Sequence, residues 1–157
     1  MYKYLLLFAL ILLTSCTKNK YEMVDELIEK YDTVNFGVFK NSCIHHRYGS
    51  VMLSKKDKCG SYIIKDYNKA QPVINKELVL NSCSDYLSED SIKYFTHKYL
   101  TYKLGYLSVD SLNNVYLSPY EHGALLVKVK DTTTIPQGFT LYKKNWAVNK
   151  AVLESLR

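Results

Sequence analysis

The sequence predicts an α+β fold built on antiparallel sheet, and three observations carry that prediction. Two segments, 20–31 and 88–102, repeat their apolar residues at the helical period. Between and after them lie eight short runs rich in β-branched and aromatic residues, bounded by polar turns. The connections between those runs are too short for parallel crossovers, so the strands must pair antiparallel. The 157 residues suit one modest domain, and a charged fraction of 23% with 47% hydrophobic residues excludes a disordered chain. With only 6 Gly and 3 Pro, a collagen-like or low-complexity chain is excluded as well.

The chain opens on Met1, Tyr2, Lys3 and Tyr4, then an apolar run over 5–13, then Thr14, Ser15 and Cys16. A charged residue, an apolar stretch and small residues in that order form a secretory leader, expected over 1–15. Nine residues reach only about 14 Å as a helix, roughly half a bilayer core, so the run is too short for a permanent span. Asn19 then caps a helix over 20–31, with Glu22 placed to close a capping box. Val24, Leu27, Ile28 and Tyr31 share its apolar arc, opposite Asp25, Glu26, Glu29 and Lys30.

Strands are expected at 34–39, 48–54, 60–66 and 76–82. The second helix starts at Ser88, with Glu89 and Asp90 in its first turn, where the helix dipole favours acids. Ile92, Phe95, Tyr99 and Tyr102 make its apolar stripe, and Gly105 is read as its stop. Strands follow at 106–109, 114–118, 124–130 and 139–143. A short last helix over 146–156 is capped by Asn145.

Helix plus four strands therefore occurs twice. Val51, Leu53 and Ser54 match Val115, Leu117 and Ser118, and the run from Gly60 to Lys65 matches that from Gly123 to Lys128, at offsets of 64 and 63 residues. This is the pattern of two half-repeats, 20–83 and 84–157, inside a single domain over 20–157, or of two similar hairpins. In outline the order is similar to the β-lactamase-inhibitor-protein-like fold, a shorter version of which occurs in some small outer-membrane assembly lipoproteins. The usual helical pair is a single helix here, and a fold-level likeness does not deliver function.

The tetrad Leu13, Thr14, Ser15 and Cys16 resembles the lipobox of bacterial lipoproteins. That resemblance implies lipidation of Cys16, cleavage just before it, and only a short tether, 16–19, between bilayer and domain. After Cys16 come Thr17, Lys18, Asn19 and Lys20, without the Asp that retains lipoproteins in the inner membrane of many Gram-negative bacteria. The resemblance thus implies an anchor at the periplasmic face of the outer membrane.

An exported chain meets oxidising conditions. If Asp66 lies opposite Lys76, Cys59 lies opposite Cys83, which favours a Cys59–Cys83 disulfide and leaves Cys43 in the first turn, unpaired. Cys43, His45, His46, Cys59 and Cys83 are candidate metal ligands, but adjacent His on an extended segment point to opposite faces. Ser118, His122 and Asp131, with His97 elsewhere, are candidate hydrolytic residues, but no nucleophile elbow frames them. No cofactor motif and no Gly-rich phosphate loop is present, and Lys55, Lys56 and Lys58 read as a solvated turn, so nucleic acid is not the expected partner.

Fifteen tyrosines stand out. Tyr is stiff, large and amphipathic, which suits contact surfaces. Tyr94 falls on the polar arc of its helix, and Tyr120 lies in a turn with Glu121 and His122. The sequence is therefore read as a non-catalytic lipoprotein binding a protein partner through these four residues, as a toxin inhibitor or as an accessory subunit of an envelope complex. The different-class alternative is a small envelope hydrolase or metal-binding lipoprotein.

Overall fold

The computed structural model describes residues 19–77, 84–121 and 123–156, so the leader, Cys16, Cys83 and His122 lie outside the described residues. The chain divides into two compact units, one ending at Thr33 and one spanning Val34–Arg157.

In the first unit, helix α1 (Lys20–Tyr31) begins where Asn19 accepts a hydrogen bond from the Tyr21 N–H through its side chain. Val24, Ile28 and Tyr31 are its buried positions, as the apolar arc requires. Lys30 lies over the Tyr31 ring at 4.9 Å.

The second unit holds one nine-stranded antiparallel sheet, the architecture expected, with helices α2 (Glu89–Tyr102) and α3 (Lys150–Ser155). Its strands are β1 (Ser42–Arg47), β2 (Ser50–Lys55), β3 (Ser61–Lys65), β4 (Val73–Glu77), β5 (Tyr106–Val109), β6 (Val115–Ser118), β7 (Leu126–Lys128), β8 (Thr140–Lys143) and β9 (Trp146–Val148). Across the sheet they run β4-β3-β2-β1-β5-β6-β7-β9-β8. The centre is the β1–β5 pair, where Ile44 faces Leu107. On either side the ladders repeat the sequence match: Leu53 faces Ile44 in β2, and Leu117 faces Leu107 in β6. One strand further out the match slips by a residue, because Tyr62 faces Leu53 whereas Leu126, not Leu125, faces Leu117.

Alternation separates the two faces of the sheet. Ile44, Val51, Leu53, Tyr62, Ile64, Leu107 and Leu117 share one face and are essentially inaccessible. Helix α2 packs there with Ile92, Phe95 and Tyr99 buried. Each such side chain contributes about 1.5–3 kcal/mol on leaving water. The opposite face carries Cys43, His45, Met52, Ser54, Tyr106 and Ser108, all half-buried. Further along it, Ile135 and Phe139 pack on Val127, Val129 and Ala147 to form a second, smaller core.

Four local expectations are corrected. Residues 34–39 form no strand: Gly37–Phe39 is a 3-10 turn, opened by Asn35, whose side-chain oxygen accepts from the Gly37 N–H at 2.8 Å. Phe36 and Phe39, three apart, thereby reach the same ring, Tyr102, at 5.0 and 6.1 Å, which strand alternation would forbid. Cys43 accordingly sits inside β1 rather than in a turn.

The third strand ends earlier than expected, because Asp66 turns into the left-handed region at φ 52°. Lys76 therefore pairs with Tyr62, and the register that set Cys59 opposite Cys83 does not hold. Trp146 starts a strand instead of a helix, since Trp146, Ala147 and Val148 are all buried between β7 and β8. The helix cap passes to Asn149, whose side chain accepts from the Val152 N–H. Finally, Lys103 in the left-handed region (φ 55°) stops α2, and Gly105 serves a different purpose.

Candidate functional site

Strand β1 and strand β2 are joined by only two residues, Tyr48 and Gly49, since Arg47 pairs with Ser50. Both have positive φ, 47° and 74°. That is the signature of a type I′ turn, whose first position prefers Asn, Asp or Gly. An L-residue with a Cβ is disfavoured in this conformation by about 1–2 kcal/mol. Yet the position holds Tyr, and its ring is 89% exposed. The Arg47 guanidinium lies 5.8 Å from that ring and donates to the Met52 sulfur at 3.4 Å.

The β6–β7 turn comes up against this hairpin. Gly105 permits it: a Cβ there would lie 2.4 Å from the Tyr120 carbonyl carbon. Tyr120 is 42% exposed, its N–H donating to Ser118 Oγ at 3.1 Å. Glu121 joins His45, His46, Arg47 and Tyr48 around a cleft of about 210 Å³. Tyr94 is exposed on α2 and is not among the residues of that cleft. The structure thus brings one of the expected contact residues, Glu121, together with two that sequence reasoning passed over, Arg47 and Tyr48, while Tyr120 precedes Glu121 in the same turn. The available signal was the Tyr48-Gly49 dipeptide between two alternating runs.

His45 and His46 point to opposite faces, as adjacent strand residues must. His46 lies 5.4 Å from the Tyr99 ring of α2, whereas His45 stacks on Tyr106 at 6.0 Å. The Cys43 sulfur is 4.0 Å from His45 Nδ1. Burial pushes the free Cys43 thiol above its ordinary pKa, against the pull of hydrogen bonds with Tyr106 and Ser108. Burial, then the neighbouring Arg47 charge, pushes His45 down, with Glu121 opposing. Both shifts favour neutral forms, a thiol beside a neutral imidazole, the opposite of an activated thiolate.

The sign of the His45 shift gives a prediction. Its folded pKa lies below the unfolded value of 6.5, so the unfolded chain binds the proton first. Stability is expected to decline as pH falls below about 6.5 and to level off below the folded pKa. His45→Gln should flatten that part of a pH series of urea midpoints. An unchanged slope would remove His45 as its source.

Among the described residues, the groups named for hydrolysis and for metal binding are not assembled. Ser118 is buried and already bonded to Tyr120, and Asp131 accepts from Thr133 in a separate turn. His97 is exposed on α2. Among the described residues, no group of three His, Cys, Asp or Glu side chains is placed to hold a metal ion. A larger groove of about 610 Å³, lined by Cys43, Ser54, Ser61 and Ser108, ends at the lysine-rich β2–β3 loop. There Lys55 pairs with Asp57 and Lys58 with Asp85, so local carboxylates balance two of the three cations.

Cys59 is buried, and its N–H donates to the Asp85 carbonyl at 2.8 Å. No helix among the described residues is long and apolar enough to cross a membrane. No protein-family model, curated protein or solved structure matches the chain.

Proposed function

We propose that this chain is a lipid-anchored envelope lipoprotein that binds a protein partner and performs no catalysis. The observation that carries the reading is the convergence of Glu121, which follows Tyr120 in the β6–β7 turn, with Arg47 and Tyr48 around one cleft, an exposed group that includes residue types that dominate contact surfaces. Cys16, following Leu13, Thr14 and Ser15, supplies the anchor through several acyl chains, one alone being marginal. The periplasmic face of the outer membrane is the location that the residues after Cys16 favour. A Cys59–Cys83 disulfide suits that compartment and is supported by the contact of Asp85 with Cys59, two residues beyond Cys83. Inhibition of an incoming toxin and service as an accessory subunit fit the same surface.

The test is crosslinking in native membranes, with palmitate labelling of the wild type and Cys16→Ala. The reading expects one protein adduct, and label that disappears with Cys16. No protein adduct under several conditions would sink the partner, and label retained in Cys16→Ala would sink the anchor.

A further inference from the structure

We infer that Tyr48 is an anchor residue kept for contact at the expense of the turn that carries it, and that it enters an acid-lined pocket of a protein partner. The inference rests on the partner-binding reading above and names its central contact.

Neither the turn nor the core accounts for a tyrosine at this position. Among the described residues with positive φ other than Gly, three are Asn or Asp, two are Lys, and Tyr48 is the sole aromatic. The β5–β6 hairpin, which holds the matching place in the second half of the sheet, keeps Asn113 at its left-handed position (φ 65°). The Tyr48 ring, 89% exposed, buries almost nothing within the molecule. A Cβ on Gly49 would meet no atom within 4 Å, so the tip is open on that side. A strained, solvated aromatic side chain points to a selection pressure outside the fold.

The chemistry of the pocket follows from the neighbours. Arg47 lies beside the ring, and the ion pairs among the described residues join lysines to carboxylates and do not include it. Tyr and Arg together are the residues enriched where interfaces concentrate their energy, provided that the pocket dries the ring and pairs the charge. The pocket therefore receives a phenol ring and offers a carboxylate to Arg47. A lipid interface also accepts Tyr and Arg. Glu121, on the same cleft, would face anionic headgroups across a whole surface, whereas a protein pocket presents its carboxylate to Arg47 alone, which favours the protein.

The experiment uses the full-length chain in native membranes, with the photoreactive residue p-benzoylphenylalanine placed singly at 48, 112 and 120. Leu112 is the control, a tip residue 66% exposed on the other hairpin. Position 48 should give a protein adduct of one size, and position 112 none. Arg47→Glu should lower the yield at 48 at least about tenfold, and Tyr48→Asn should lower that at 120 equally. Tyr48→Asn should also raise Tm by about 3 °C, because Asn suits the turn.

A rise in stability together with a loss of contact is the result that a purely structural tyrosine would not give. Equal yields at 48 and 112, adducts of lipid alone at 48, or an unchanged Tm would each overturn the inference. An adduct at 120 with none at 48 would overturn the anchor and leave the partner reading standing. Absence of adducts at all three positions would count against both.

Discussion

Gly105→Ala is expected to cost about 3 kcal/mol, lowering Tm by roughly 10 °C, and to displace the Tyr120–Glu121 turn. The added Cβ would lie 2.4 Å from the Tyr120 carbonyl carbon, 2.6 Å from its oxygen and 2.8 Å from the Glu121 nitrogen. All three are backbone atoms, so no rotamer change relieves the overlap. Gly105 itself is held from both sides: its carbonyl accepts from the His46 N–H at 2.9 Å, and its N–H donates to the Ser118 carbonyl at 3.0 Å. Either the turn moves by about 1 Å, the gap up to ordinary contact, or the two hydrogen bonds break.

Gly123→Ala is the comparison. No atom lies within 4 Å of a Cβ there, and only its φ of 81° resists the substitution, at about 1 kcal/mol. Thermal unfolding of the two variants, with amide shifts of Tyr120 and Glu121, separates close approach from conformational freedom. If Gly105→Ala costs no more than Gly123→Ala, the packing of the turn on Gly105 is not what fixes the site.

Much of this fold could be read from residue pattern because the pattern and the burial agree. Ser88 caps α2 through the Ser91 N–H, and Ile92, Phe95 and Tyr99 are buried as their spacing requires. The Val51/Val115, Leu53/Leu117 and Ser54/Ser118 matches fall on β2 and β6, which hold equivalent places in the sheet. Strand β1 escaped notice because one face of the sheet stays half-open: between Ser42 and Arg47 only Ile44 is a large buried apolar residue, so alternation is barely written. Residues 34–39 misled in the opposite sense, since their β-branched and aromatic content argues for a strand while the three-residue spacing of Phe36 and Phe39 serves a tight turn.

The candidate site divides along the same line. Tyr120 and Glu121 were legible because Pro119 and Gly123 mark a turn. Tyr48 was absorbed into the following strand because Tyr ordinarily favours strands and avoids positive φ. A residue that contradicts its local conformation is invisible to propensity, and that contradiction is what makes it informative. Arg47 could not be singled out before the turn was placed.

Tyr62→Phe is expected to cost about 3 kcal/mol although it removes one oxygen from a side chain that keeps its shape. The Tyr62 hydroxyl donates to the Cys59 carbonyl at 3.0 Å and accepts from the Leu87 N–H at 2.7 Å. Tyr62, Cys59 and Leu87 are all buried, so water cannot replace either bond, and each orphaned group carries about 1–3 kcal/mol of desolvation cost. The hydroxyl also joins the loop before β3 to the residue just ahead of the Ser88 cap, so its loss loosens the entry to α2. Exchange of the Leu87 amide should accelerate more than that of Tyr99, deep in the same helix.

The proposed Cys59–Cys83 bridge fastens nearly the same two segments, and perturbations that share partners are not additive. With that bridge intact, the chain ahead of Leu87 stays close, and the penalty should be smaller than after reduction. The cycle is measured by urea unfolding of wild type and Tyr62→Phe, each with and without reductant. A loss below about 0.5 kcal/mol in both states would mean that the Leu87 N–H finds another acceptor, and equal losses in both would mean that the bridge does not hold this segment.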